Sequence, residues 1–133
     1  MSERHFTPDE VDALIPKLAE IMERAMDCHR QATALQRHLH EAQARIRDAG
    51  GSHIDQRDWK ARAERLDGLA IEVREALQEI LALGGVTKDL EMGLVDFPGL
   101  VDGDTVNLCW KYGEREVRFW HGLDEGFAAR KSL

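Results

Sequence analysis

The chain has 133 residues, of which 32% are charged and 43% hydrophobic, and its formal net charge is −7. That length is the span of one domain, and the mixture is that of a folded, soluble chain rather than a disordered one. The negative balance argues against binding nucleic acid or an anionic membrane over the whole surface, and no run of about 18 apolar residues is present to span a bilayer. The charge is uneven. Residues 37–65 hold seven Lys/Arg and five Asp/Glu, a local +2 that leaves −9 for the rest. The two cysteines, Cys28 and Cys109, make neither a metal-finger spacing nor a disulfide framework. The opening residues lack the apolar core of a signal peptide, so a reducing cytoplasm is the expected location.

Thr7-Pro8-Asp9-Glu10 carries the marks of a helix start: a capping Thr, Pro at the first helical position, and Glu three residues past the cap. Phe6 is placed to staple onto the first turn. Apolar or small residues then recur at Val11, Leu14, Leu18, Ile21, Ala25, Cys28, Ala32, Leu35, Leu39, Ala42 and Ile46. Their alternating three- and four-residue spacing is a heptad seam, which predicts one long helix lying against another. Pro16 removes a hydrogen bond to the Asp12 carbonyl and predicts a bend. Ala49-Gly50-Gly51-Ser52 predicts the stop.

A second helix is predicted from near Asp55–Asp58 to about Leu83. Its seam reads as Trp59, Ala63, Leu66, Ala70, Val73, Leu77 and Ile80, with Leu69, Ala76 and Leu83 as an additional stripe. The short connection makes the two helices antiparallel. At about 1.5 Å per residue they reach roughly 60 Å and roughly 42 Å, so the chain after Gly85 must cover the first helix's opening turns. The additional stripe, together with Ile71, Ile15, Met22 and Met26, predicts a homodimer joined through the helices.

The C-terminal third changes period. Residues 94–97, 105–111 and 116–120 read as strands, and Asp102-Gly103 is a strong two-residue hairpin signal. That turn pairs Asp96 with Cys109, Phe97 with Leu108 and Val95 with Trp110. A following loop of two or four residues sets Val117 and Phe119 on the apolar face with Val106, Leu108 and Trp110. It leaves Asp96, Asn107, Cys109, Glu116, Arg118 and Trp120 on the opposite face. Residues 121–133 lack a clear period and are expected to wrap back with Phe127 as anchor.

Thr7-Pro8-Asp9-Glu10 followed by Leu14-Ile15-Pro16-Lys17-Leu18 resembles the opening of a bacterial family known as domain of unknown function 2203. Lys88-Asp89-Leu90, Gly93-Leu94-Val95-Asp96-Phe97-Pro98, Leu108-Cys109-Trp110, Gly113-Glu114, Phe119-Trp120-His121 and Gly126-Phe127 look like its C-terminal signature. Ala129 departs from it, standing where a glycine would precede Arg130. The resemblance implies no activity. It implies only that the acidic, Cys-Trp and Trp-His positions occur together.

The fold expected is therefore α+β, one domain over 1–133: a long, coiled-coil-like antiparallel helical hairpin over about 7–83, then a small antiparallel sheet and tail over about 86–133. The candidate site is the sheet's polar face, with Asp96, Cys109, Arg118, Trp120 and His121. Arg118 faces Cys109 across a four-residue loop, and Glu116 does so across a two-residue one. The commoner meaning of such a row is a solvated ion pair, worth about 0.2–1 kcal/mol. Asp96 and His121, with Asp124 and Glu125, form a candidate divalent-metal set that requires the tail to fold back. Cys109 is a poor nucleophile, since Asp96 beside it raises its pKa. Cys28 reads as core packing, and His38, His40, His29 and His53 as surface or turn residues without catalytic partners. The basic tip (Arg37, Arg45, Arg47, Arg57, Lys60, Arg62, Arg65) is diluted by acids and reads as a solvated helix end, so nucleic acid is not an expected partner. The function expected is a non-catalytic protein-interaction or small-ligand-binding module. The alternative is a small metal-dependent or cysteine-based enzyme with its site on the sheet's polar face.

Overall fold

A computed structural model of the chain describes residues 4–48 and 56–133. The expected stop at Ala49-Gly50-Gly51-Ser52, His53 and the first residue of the second helix's predicted start lie outside them. Helix α1 (Pro8–Asp48) has 41 residues and α2 (Gln56–Leu83) has 28. Strands β1 (Val86–Asp89), β2 (Leu94–Val101), β3 (Asp104–Lys111), β4 (Phe119–His121) and β5 (Lys131–Ser132) form one antiparallel sheet in sequential order. This is the α+β hairpin-plus-sheet expected, with two strands the sequence did not reveal. Both are short edge segments, of four and two residues, with no apolar alternation to announce them.

The capping box forms as its residues dictate. The Glu10 amide donates to Thr7 Oγ1 at 3.1 Å, and the Thr7 amide donates to Glu10 Oε1 at 3.0 Å. Phe6, read as a staple for that turn, is tied to the sheet. Its amide donates to the Pro98 carbonyl at 2.7 Å, and its ring meets Phe97 edge-on at 5.3 Å. Pro98 sits beyond the reach of β1, whose pairing ends at Asp96, so on that edge its missing amide takes nothing from the ladder. Helix α1 continues through Pro16 as one element.

The helix seam of α1 is buried at Val11, Leu18, Ile21, Ala25 and Cys28 and only half-buried from Ala32 onward. On α2 the seam differs from the expected one. Burial falls on Leu69, Ala76 and Ile80, with Val73 and Leu83 partly covered, while Ala70 is exposed. Both stripes fit a three-four spacing, and the stripe that carries Leu69 rather than Ala70 removes more apolar surface from water. Leu69 is thus 4% exposed within one chain, and Ile15 and Met22 are also buried. Of the residues that predicted self-association, Ile71 remains open at 49%.

The β2–β3 register is the expected one: Asp96 faces Cys109, Phe97 faces Leu108 and Val95 faces Trp110. Asp102 and Gly103 have φ of 52° and 84°, the two positive values that a tight hairpin turn requires. Val95, Phe97, Val106, Leu108 and Trp110 turn one face onto the helices and join their core.

The β3–β4 register departs from both loops considered. Phe119 faces Cys109, Trp120 faces Leu108 and His121 faces Asn107. The chain closes a turn at Lys111–Glu114 and then leaves the ladder. Asp12 Oδ1, on α1, accepts the Val117 amide at 2.7 Å and holds this detour against the helix. The strand rejoins one residue out of step, which exchanges the faces of residues 119–121. Phe119 and His121 join Asp96 and Cys109, Trp120 turns to the helix side, and Arg118 is left exposed beside Glu116.

Loss of the cap should register at the first turn. Thr7→Ala is expected to lower stability by about 1 kcal/mol in urea unfolding. The Thr7 amide, then the Thr7 hydroxyl and Arg4, hold the Glu10 carboxyl below its ordinary value of 4.5. A lowered folded pKa gives stability that is present above the unfolded value and lost as pH falls through the folded one. The gap in urea midpoint between the native chain and Glu10→Ala should therefore narrow from pH 7 to pH 3.

Candidate functional site

The outer face of the sheet carries two adjoining cross-strand rows. Val86, Asp96, Cys109 and Phe119 form one, and Pro98, Asn107 and His121 the other. A face opposite the core is ordinarily solvated. Here Asp96, Cys109 and His121 are only 3%, 1% and 3% exposed. The cover comes from residues 122–130, which cross this face as a loop and a 3-10 turn at Phe127–Ala129 before β5 pairs with β4.

An arginine fastens the cover. Arg130 Nη2 lies 2.8 Å from both oxygens of the Glu114 carboxylate, which share this one nitrogen, and 3.2 Å from the Cys109 carbonyl. Its guanidinium lies 4.1 Å from the Phe119 ring centre and 4.9 Å from that of Phe127. Glu114 also accepts the Lys111 amide through Oε1 at 2.6 Å and the Trp110 indole through its carbonyl at 2.9 Å. One carboxylate thereby joins the β3–β4 turn to the C-terminal strap.

Beneath the strap, His121 Nδ1 lies 3.0 Å from the Gly122 carbonyl and His121 Nε2 lies 3.1 Å from Asp96 Oδ1. A carbonyl only accepts, so Nδ1 carries the hydrogen. Nε2 then presents a lone pair to a carboxylate oxygen unless a cation, either a proton or a metal ion, sits between them. The other oxygen, Asp96 Oδ2, is buried without a hydrogen-bond partner. One donor atom each from Asp96, Cys109 and His121 lie within 4.8 Å of one another, and the group could hold a metal ion. A cavity of about 150 Å³, lined in part by Lys88, Asn107, Leu123 and Phe127, opens on all three. Burial, then the negative charge of Asp96, pushes the Cys109 thiol up to about 12. Such a thiol is a poor nucleophile at neutral pH.

Three of the five residues expected on the polar face thus come together: Asp96, Cys109 and His121. Arg118 and Trp120 do not, because of the register change. Of the metal set, Asp96 and His121 meet, while Asp124 is exposed. Glu125 lines the cavity, but Oε1 is engaged by Lys131 and then the Gly122 amide, which lower its pKa. Cys109 takes the place in that set that the acids were expected to fill. Glu114 and Arg130 were missed as positioning residues. Their only sequence signal was the Gly113-Glu114 and Arg130 part of the family signature. Cys28 is buried on the seam as expected, its thiol donating to Glu72 at 3.0 Å and raised to about 11. His38 and His40 are exposed.

The chain matches the model of a family of uncharacterized conserved proteins, DUF2203, over residues 4–133. The chain belongs to that family. The match takes in the whole sheet, the strap and the Asp96–Cys109–His121 group. No curated protein and no solved structure matches the chain. No described helix of this DUF2203 member is long and apolar enough to cross a membrane.

Both thiols should resist a thiol-specific chromogenic reagent in the native protein at pH 8 and react fully after unfolding. Arg130→Ala should release the strap and make Cys109 reactive while Cys28 stays protected. Its stability should fall by about 2–4 kcal/mol, because the half-buried Glu114 carboxylate loses its charged partner. Equal protection of Cys109 in the variant would mean that the strap is held by other contacts.

Proposed function

We propose that the protein is a small divalent-metal-binding module, its ion held by Asp96, Cys109 and His121 beneath the C-terminal strap. The observation that carries this is the close approach of His121 Nε2 to a buried carboxylate whose second oxygen is unpartnered, beside a buried thiol. Oxygen, nitrogen and sulfur donors together suit Zn²⁺ or a neighbouring borderline ion rather than Mg²⁺ or Ca²⁺. Bonds of about 2.0–2.3 Å around tetrahedral zinc separate its donors by roughly 3.3–3.6 Å, so the 3.1 Å His121–Asp96 pair needs to open only slightly. The Gly122 carbonyl on Nδ1 is the outer partner a metal-bound histidine needs to fix its ring. A metal ion also reverses the logic of the raised thiol, since it replaces the proton and binds the thiolate. Three protein ligands leave one position open toward the cavity, which favours small-ligand binding or metal-assisted chemistry over a purely structural ion.

Protein purified without chelator or affinity tag should carry close to one zinc per chain by elemental analysis. Cys109→Ser and His121→Ala should each remove most of it. Cobalt substitution should give a thiolate-to-metal absorption band in the near ultraviolet that Cys109→Ser abolishes. A folded protein that takes up neither zinc nor cobalt would refute the proposal.

A homodimer through the helices is a second reading, favoured by one observation. Among the described residues of α1, no seam position beyond Cys28 is buried within the chain. A second hairpin laid against this coiled-coil arm would cover Leu35, Leu39 and Ile46. Sedimentation equilibrium at micromolar concentration should then give twice the 15.1 kDa chain mass, and Leu39→Glu should halve it. A native mass of one chain would exclude the dimer.

A further inference from the structure

Beside the metal pocket lies a larger cleft of about 580 Å³, between the end of α2, the outer face of the sheet and the strap. The two cavities share Lys88, Asp96, Asn107 and Leu123 along their walls, so the cleft adjoins the proposed ion's open position. The volume is that of a site for a small organic molecule. Its walls are uneven in character. Leu81, Val86 and Leu123 line it, and they are 61%, 45% and 61% exposed, three of the six large apolar side chains left open among the described residues. Apolar side chains gathered in a concave surface mark a place for a hydrocarbon. The polar end is the shared end, where Asp96 Oδ2 is buried without a partner and Lys88 makes no ion pair among the described residues.

Charge decides which ligand suits that end. A divalent ion held by the Asp96 carboxylate and the Cys109 thiolate, with neutral His121, is locally neutral. Lys88 at the junction then adds one uncompensated positive charge, whereas Arg4, also on the wall, is already paired with Glu10. A single negative charge next to a hydrocarbon body complements this arrangement.

We propose that the cleft binds a small monocarboxylic acid with an apolar chain, its carboxylate at the junction of Lys88 and the metal site and its hydrocarbon against Leu81, Val86 and Leu123. This rests on the metal reading for the carboxylate's position and on the cleft alone for the hydrocarbon's. No bond is made or broken in it.

Titration calorimetry of the zinc-loaded full chain with octanoate, acetate and 1-octanol tests it, with zinc content measured on the same samples. Octanoate should bind at least about tenfold more tightly than either control, because acetate lacks the chain and octanol the charge. Lys88→Glu and Leu123→Asp, both at exposed positions, should each weaken octanoate by about tenfold while zinc stays bound. Octanoate failing to bind a zinc-loaded chain, or binding equally well after both substitutions, would overturn this inference and leave the metal reading intact. Absence of zinc would overturn the metal reading. Lys88-dependent octanoate binding by that metal-free chain would then uphold the cleft as the site, and no binding would overturn it too.

Discussion

The Arg130–Glu114 ion pair is the contact on which the outer half of the molecule depends. It joins Arg130, three positions before the last residue, to the turn between β3 and β4, and it lies over the sheet rather than in the helical core. Bringing a guanidinium and a carboxylate out of water costs several kcal/mol per ion at about this depth. A charge-assisted contact from Nη2 to the two Glu114 oxygens, a contact from the same nitrogen to the Cys109 carbonyl and two aromatic faces offset that cost. The compensation is incomplete, since Arg130 Nε is buried with no partner. The strap that results changes the dielectric surroundings of Asp96, Cys109 and His121 from those of a wet sheet face to those of an interior.

The sheet therefore has two protected faces with opposite chemistry. Alternation along β2 sends Val95 and Phe97 into the core and Leu94, Asp96 and Pro98 outward, and β3 matches it pair by pair. The core face fixes the register, because a slip would expose every core residue on these strands. Fixing the core thus also sets Asp96 against Cys109 on the other face. The donor group draws its geometric definition from the packing of residues it does not touch.

What could be read in the sequence was what local chemistry controls. The α1 seam, the capping box and the Asp102-Gly103 turn each need only neighbours in the chain, and the Asp96–Cys109 pairing followed from the turn. The choice between Leu69 and Ala70 was not legible, because both spacings suit a helix and only burial area separates them. The shift that brought His121 into the donor group depends on Asp12 and Val117, 105 residues apart, and no pattern near β4 records it. The same applies to Arg130 and Glu114, which become partners only when the strap closes. Arg118 and Trp120 were misplaced by a single residue of register, the smallest error that reverses a strand's faces.

The uneven burial of α1 has a consequence for how the molecule comes apart. Residues 32–46 can separate from α2 without uncovering a single fully buried side chain of α1, whereas separating residues 11–28 uncovers the core shared with the sheet. Opening free energy must rise from the tip of the hairpin toward its base, and amide exchange along this one helix should span the range from local fraying to global unfolding. The cooperative unit thus ends near Cys28, well inside a helix that is geometrically continuous to Asp48.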